Sequence, residues 1–81
     1  MDHTTPISLN TLVVDDQATI LSFNTGRSET TRLASLGFTP GATVNMTQNY
    51  GRGPLIVTVR GTRVALGRGE ATKIFVKRIS E

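Results

Sequence analysis

The sequence predicts a mainly β protein, a small barrel of about five short strands with one short helix after the first strand. Three observations lead there. Apolar residues alternate at period two through residues 18–24 and 55–60, which marks strands with one buried face. Glycines fall between these runs, where a small barrel has to turn. The one stretch with helical signals, residues 28–36, is too short to stand alone and needs a barrel beneath it.

Residues 1–8 read as a flexible N-terminal tail that includes Pro6, with the folded domain occupying residues 9–81. Leu9, Leu12, Val13 and Val14 form an apolar patch ahead of the turn-like Asp15-Asp16-Gln17. In the strand at 18–24, Ile20 and Ser22 point one way, Leu21 and Phe23 the other. A helix follows over 28–36. Ser28 suits its N-cap, Glu29 suits the positive end of its dipole, and Leu33 and Leu36 share a face. The stretch LGFTPG, residues 36–41, then turns helix into strand. Gly37 sits where a helix end favours a left-handed residue, and Phe38 folds back towards Leu33. Pro40 stops the helix from resuming, and Pro40-Gly41 sets the turn.

The rest is β. Val44, Met46 and Tyr50 lie an even number of positions apart and are expected on one face. Residues 49–54, NYGRGP, form a glycine loop. Leu55, Val57 and Val59 share a face, and Gly61 permits a tight hairpin into residues 62–66. Residues 67–72 have room for a single helical turn, and Ile74 and Val76 mark a last strand that Ile79 closes. Short strands in this order predict a strongly bent barrel of the SH3 type.

Composition narrows the function. A chain of 81 residues forms one domain, and a hydrophobic content of 37% is enough for a core. There are no cysteines, which removes disulfides, thiolate metal sites and cysteine nucleophiles together and suits a reducing compartment. No apolar run approaches the roughly 20 residues that cross a bilayer, and the N-terminus lacks the pattern of a signal peptide. The expected location is therefore the cytoplasm. Charge is uneven. Residues 1–26 carry Asp2, Asp15 and Asp16 with no Lys or Arg, whereas residues 27–81 carry all nine basic residues against three glutamates. A basic body attracts nucleic acid, anionic lipid or an acidic protein, although singly scattered charges mostly serve to solvate a surface.

Signals for enzyme chemistry are nearly absent. The only histidine is His3, and no zincin, P-loop or nucleophile-elbow pattern occurs. Gly51-Arg52-Gly53 and Gly67-Arg68-Gly69 begin like a dinucleotide fingerprint but reach Ile56 and Thr72 at its third glycine. Asp15 and Asp16 are adjacent carboxylates, too few for a cation site and well suited to a turn. Met-Asp-His at the N-terminus can wrap Cu(II) or Ni(II), as any chain with histidine third does. A nucleic-acid-binding β-barrel is the alternative reading, since Arg52, Arg60, Arg63, Arg68, Lys73 and Lys77 lie on strands or loops. Such barrels stack bases on aromatics, and this chain offers only Tyr50, Phe23, Phe38 and Phe75, most of them expected in the core.

Three stretches carry a family resemblance: LASLGFTPGATVNM, GPLIVTVRGTRVALG and EATKIFV. In order and spacing they resemble the FeoA family, the small cytosolic component of bacterial ferrous-iron transport. The matching positions are Leu33, Leu36, Gly37, Phe38, Pro40, Gly41, Pro54, Gly61, Ala65, Leu66, Ala71, Ile74 and Val76. The likeness spans residues 9–79, with Phe38 standing where a smaller aliphatic is usual. A similar module ends metal-dependent repressors of the diphtheria-toxin-repressor type, whose upstream helix-turn-helix and metal ligands have no counterpart here. The resemblance implies a non-enzymatic accessory or regulator of ferrous-iron uptake, and the residues themselves offer no cofactor, metal or catalytic site. It implies docking on a membrane ferrous-iron transporter that carries a cytosolic GTP-binding domain. Leu33, Leu36, Gly37, Pro40, Gly41, Gly61, Ala71, Ile74 and Val76 are then structural. The candidate partner contacts are Arg27, Arg32 and Phe38 at the helix and corner, with Tyr50 and Arg52 on the loop. Nucleic acid and membrane insertion are not expected, and an exposed strand edge leaves room for self-association.

Overall fold

A computed structural model describes residues 5–79. Six antiparallel strands form one sheet: β1 (Ile7–Ser8), β2 (Gln17–Phe23), β3 (Thr43–Gln48), β4 (Leu55–Val59), β5 (Thr62–Leu66) and β6 (Ile74–Arg78). Helix α1 (Arg27–Ser35) joins β2 to β3, and the single turn α2 (Arg68–Ala71) joins β5 to β6. The strand order is β1-β6-β2-β3-β4-β5. The strongly bent sheet wraps around one aliphatic core that includes Ile20, Leu33, Phe38, Val57, Ile74 and Val76.

The sixth strand is β1, where the sequence reading placed a tail. Ile7 pairs with Val76 and Ser8 with Phe75, and Ile7 packs on the core. The folded domain therefore begins at least two residues earlier than expected. Leu9 and Leu12 follow on a 3-10 turn, Leu9–Thr11, and both are fully buried. Val13 and Val14 are exposed, because the chain reverses there. The Asp16 amide donates to the Val13 carbonyl at 3.0 Å, and the Val13 amide donates to Asp16 Oδ2 at 2.9 Å. Asp15 takes φ +77° inside that turn, a conformation Asp tolerates better than most residues.

Two irregularities break the expected alternation. In β2, Ile20 pairs with Val76 but Ser22 with Phe75, so Leu21 is an extra residue. The bulge turns Ser22 outward and lets Phe23 pack on the core. In β3 the register shifts between Met46 and Gln48. Val44 and Met46 are buried as expected, but the strand ends at Gln48 and Tyr50 lands in a loop, 76% exposed.

Helix α1 starts one residue before the expected span. Its N-cap is Gly26 in extended geometry, with no side-chain cap, so Ser28 does not cap. The hydroxyls of Thr25 and Thr30 hydrogen-bond to each other across that first turn instead. The C-terminal end follows the sequence closely. The Gly37 amide donates to the Ala34 carbonyl and the Phe38 amide to the Leu33 carbonyl, both at 3.0 Å, with Gly37 at φ +103°. This is a Schellman close, and the returning Phe38 is fully buried. Leu36 is a correction. It forms the C-cap and is 37% exposed, because Phe38 takes the core position beneath the last turn.

Candidate protein-docking face

Three segments meet at α2. From α1, the Arg32 guanidinium forms an ion pair with Glu70. From the loop between β3 and β4, Asn49 Oδ1 accepts a hydrogen bond from the Arg68 guanidinium. The same oxygen accepts the Gly51 amide at 2.9 Å, an Asx turn that bends the loop back on itself. Asn49 Nδ2 donates to the carbonyls of Leu12 at 2.7 Å and Asn10 at 3.2 Å. One amide side chain thus ties the loop to α2 and to the turn after β1. Gly51 and Gly53 take φ +83° and +72°, and no atom lies within 4 Å of a Cβ built on either. The loop is shaped by its own backbone and by Asn49.

The expected contact residues divide accordingly. Tyr50 and Arg52 are exposed on this loop, and the Arg52 side chain has no ion-pair or hydrogen-bond partner among the described residues. Arg32 is exposed but already engaged by Glu70, which is itself three-quarters or more buried. Arg27 is exposed at the first position of α1, with no partner among the described residues. Five residues before Arg32, it lies about 140° round the helix from it. Arg32 reaches α2 through Glu70; Tyr50 and Arg52 belong to the loop that Asn49 ties to Arg68 of α2; and Arg27 stands apart. Phe38 is a correction. Fully buried, it holds the corner from inside and offers nothing to a partner. The motif residues Leu33, Ala71, Ile74 and Val76 are buried, and Gly41 and Gly61 have φ of +92° and +77°.

Asn49, Arg68 and Glu70 were missed as site-forming residues. Asn49 had a legible signal, an Asn two residues before a glycine. The pairings of Arg68 and Glu70 arise only when α2 folds back between loop and helix. Among the described residues no group of three or more His, Cys, Asp or Glu side chains gathers to hold a metal. His3 lies outside the described residues. Among the described residues no helix is long and apolar enough to cross a membrane.

A family model described as FeoA domain matches residues 7–78. A Methanocaldococcus jannaschii protein, provisionally named Fe(2+) transport protein A, is 31% identical over 62 residues, covering 76% of this chain and 74% of that protein. A crystal structure of an iron uptake regulatory protein, FeoA, superposes with a TM-score of 0.87 at 29% identity, covering 93% of this chain and all of that one. A Stenotrophomonas maltophilia FeoA complexed with zinc, described as a prokaryotic SH3 domain protein, gives a TM-score of 0.77 at 32% identity, covering 88% and 89% of the two chains. A manganese-dependent transcriptional repressor shares the fold alone, at 18% identity and a TM-score of 0.82. The SH3-like barrel, the matched span and these relatives agree: this chain belongs to the FeoA family.

Proposed function

We propose that this protein is a non-enzymatic accessory of ferrous-iron uptake, working in the cytoplasm by docking on the cytosolic domain of a membrane ferrous-iron transporter. Membership of the FeoA family supports the link to iron transport. One observation carries the docking: Tyr50 is 76% exposed beside an unpaired Arg52, on a loop that Asn49 holds in shape. A large aromatic beside an unpaired arginine is the composition that dominates binding energy at protein interfaces. Arg32 contributes less than Arg52, because a partner carboxylate has to compete with Glu70 for it. Iron is the transporter's cargo in this reading, and docking acts by binding one transporter conformation better than another.

The test is co-purification of the tagged protein with the detergent-solubilised transporter at low and high salt. Recovery is expected to survive salt and to fall at least about tenfold with Arg52→Glu, the loss of roughly 1.4 kcal/mol of binding. Arg27→Glu is expected to matter less, since Arg27 is off the face. Wild-type recovery by both Arg52→Glu and Tyr50→Ala overturns the face. Recovery of nucleic acid that disappears with salt overturns the reading itself.

A further inference from the structure

We propose that the outer edge of β5 is a second binding site, which takes an acidic, extended peptide segment as an added strand. This edge lies apart from the Tyr50 loop, and the inference does not depend on the identity of the partner proposed above.

The register fixes which backbone groups are free. Val59 and Thr62 flank a two-residue turn in which Arg60 and Gly61 both have positive φ, so these two form a hydrogen-bonded pair. Alternation along the ladder then makes Val57–Val64 and Leu55–Leu66 hydrogen-bonded pairs as well. Arg63 and Ala65 occupy the intervening positions, with amide and carbonyl directed away from β4. β5 is last in the strand order, and no other backbone bond reaches Arg63 or Ala65. Both residues are exposed. The edge therefore offers two donors and two acceptors in strand spacing. It has none of the bulges or prolines that usually blunt an edge, and its register with β4 is unbroken. The opposite edge of the sheet is β1, which is only two residues long.

Charge selects the occupant. From residue 30 to residue 69 the chain contains no Asp or Glu and five arginines. This span covers β3, β4 and β5. Arg63 projects from the edge strand itself, with no partner among the described residues. A second copy pairing through β5 brings two such cationic surfaces together, which like-charge repulsion opposes. Nucleic acid meets the charge, but its phosphates only accept and leave the two edge amides' neighbouring carbonyls without donors. An extended peptide supplies donors and acceptors alternately, and a carboxylate beside Arg63 makes a charge-assisted pair.

The experiment titrates the isotope-labelled full chain with a capped peptide of about six residues alternating Glu and Val, a typical strand length. The amide resonances of Arg63 and Ala65 are expected to move and to exchange more slowly. Ala65→Pro deletes an outward donor and no β4 bond, so the fold survives and binding drops at least about tenfold. Arg63→Glu, which asks nothing of the backbone, is expected to lower affinity for the Glu peptide and to favour one with Lys in place of Glu. Arg52→Glu leaves peptide binding intact, which separates this site from the loop. Equal binding by a peptide with alternate amides N-methylated overturns strand addition in favour of charge alone. Shifts confined to the Tyr50 loop, displacement by an oligothymidylate, or the same edge shifts appearing on concentration without peptide also overturn it.

Discussion

The corner between α1 and β3 and the loop between β3 and β4 both turn the chain on two glycines with positive φ. They are held in opposite ways. The corner is held by burial. Phe38 and Leu33 lie fully inside, and a Cβ on Gly37 meets Arg60 Cδ at 3.4 Å and Val59 methyls at 3.6 Å. The loop is held by polar bonds to a single side chain, Asn49, with open space around Gly51 and Gly53. A segment fixed from inside leaves little for a partner. A segment fixed at its base by one amide leaves its tip free, and here the tip carries Tyr50 and Arg52. Of the two aromatics in these segments, Phe38 is buried and shapes its corner, whereas Tyr50 is exposed and, in the proposed reading, meets the partner.

The largest expected effect tests the buried half. Phe38→Ala removes a fully buried ring from the corner and is expected to cost about 3–5 kcal/mol. At about 4–8 °C per kcal/mol for a domain of this size, thermal unfolding reads the loss directly. A loss below about 1 kcal/mol places the corner's stability elsewhere and breaks the comparison. Next comes the polar half. Asn49→Ala strips partners from the Leu12 and Asn10 carbonyls, the Gly51 amide and Arg68. About 1–3 kcal/mol is expected, as for a removed hydrogen-bond partner in a partly buried site. Asn49→Asp keeps the acceptor for Gly51 and Arg68 but loses the donor to Leu12 and Asn10. It should therefore preserve the Asx turn while detaching the loop, visible as faster amide exchange at Leu12's neighbours than at Gly51.

The same contrast decided what the sequence could reveal. The corner was legible because its signals are local. The helix end at Leu36, Gly37, a hydrophobic residue and Pro40 follow one another within five residues, and each acts locally. The hairpin at Gly61 and the alternation in β4 were legible for the same reason. The departures occurred where distant residues decide. Phe38 reads both as folding back on Leu33 and as a partner contact at the corner, and its full burial keeps only the first. Tyr50 reads in phase with Met46, but the register shifts after Met46 and the strand ends at Gln48, which leaves Tyr50 in a loop. Residues 7 and 8 are too few to show a periodicity, and only pairing with β6 makes them a strand. The gathering of Arg32, Glu70, Arg68 and Asn49 rests on side chains separated by up to 38 positions, which no local pattern encodes.

A smaller effect sharpens the comparison through glycine. Gly37 and Gly51 both have positive φ, so an Ala at either carries a left-handed cost of roughly 1–2 kcal/mol. At Gly37 φ is +103°, further from the left-handed centre of about +57° than the +83° of Gly51, and the new Cβ also meets the Arg60 Cδ at 3.4 Å, the tight limit of ordinary contact. Gly37→Ala should therefore destabilise more than Gly51→Ala, by a few tenths of a kcal/mol or more in denaturant melts. Equal losses mean that the corner is no more tightly packed against its surroundings than the loop.

The smallest stability effect is the most informative about function. Tyr50 is 76% exposed, and its hydroxyl makes no hydrogen bond among the described residues. Tyr50→Ala should change stability by no more than about 0.5 kcal/mol, as for surface positions away from caps and networks. If the ring is an interface anchor, the same change should cost at least about 2 kcal/mol of binding to the transporter's cytosolic domain, roughly thirtyfold in affinity. The two measurements constrain each other. A stability loss near that of Phe38→Ala means that the ring packs on the body of the protein and that the loop is a second buried corner. Neutral stability together with neutral binding leaves the ring without a role in either and moves the docking face away from the loop. Only unchanged folding with weakened docking keeps the division between a segment held for shape and a segment held for contact.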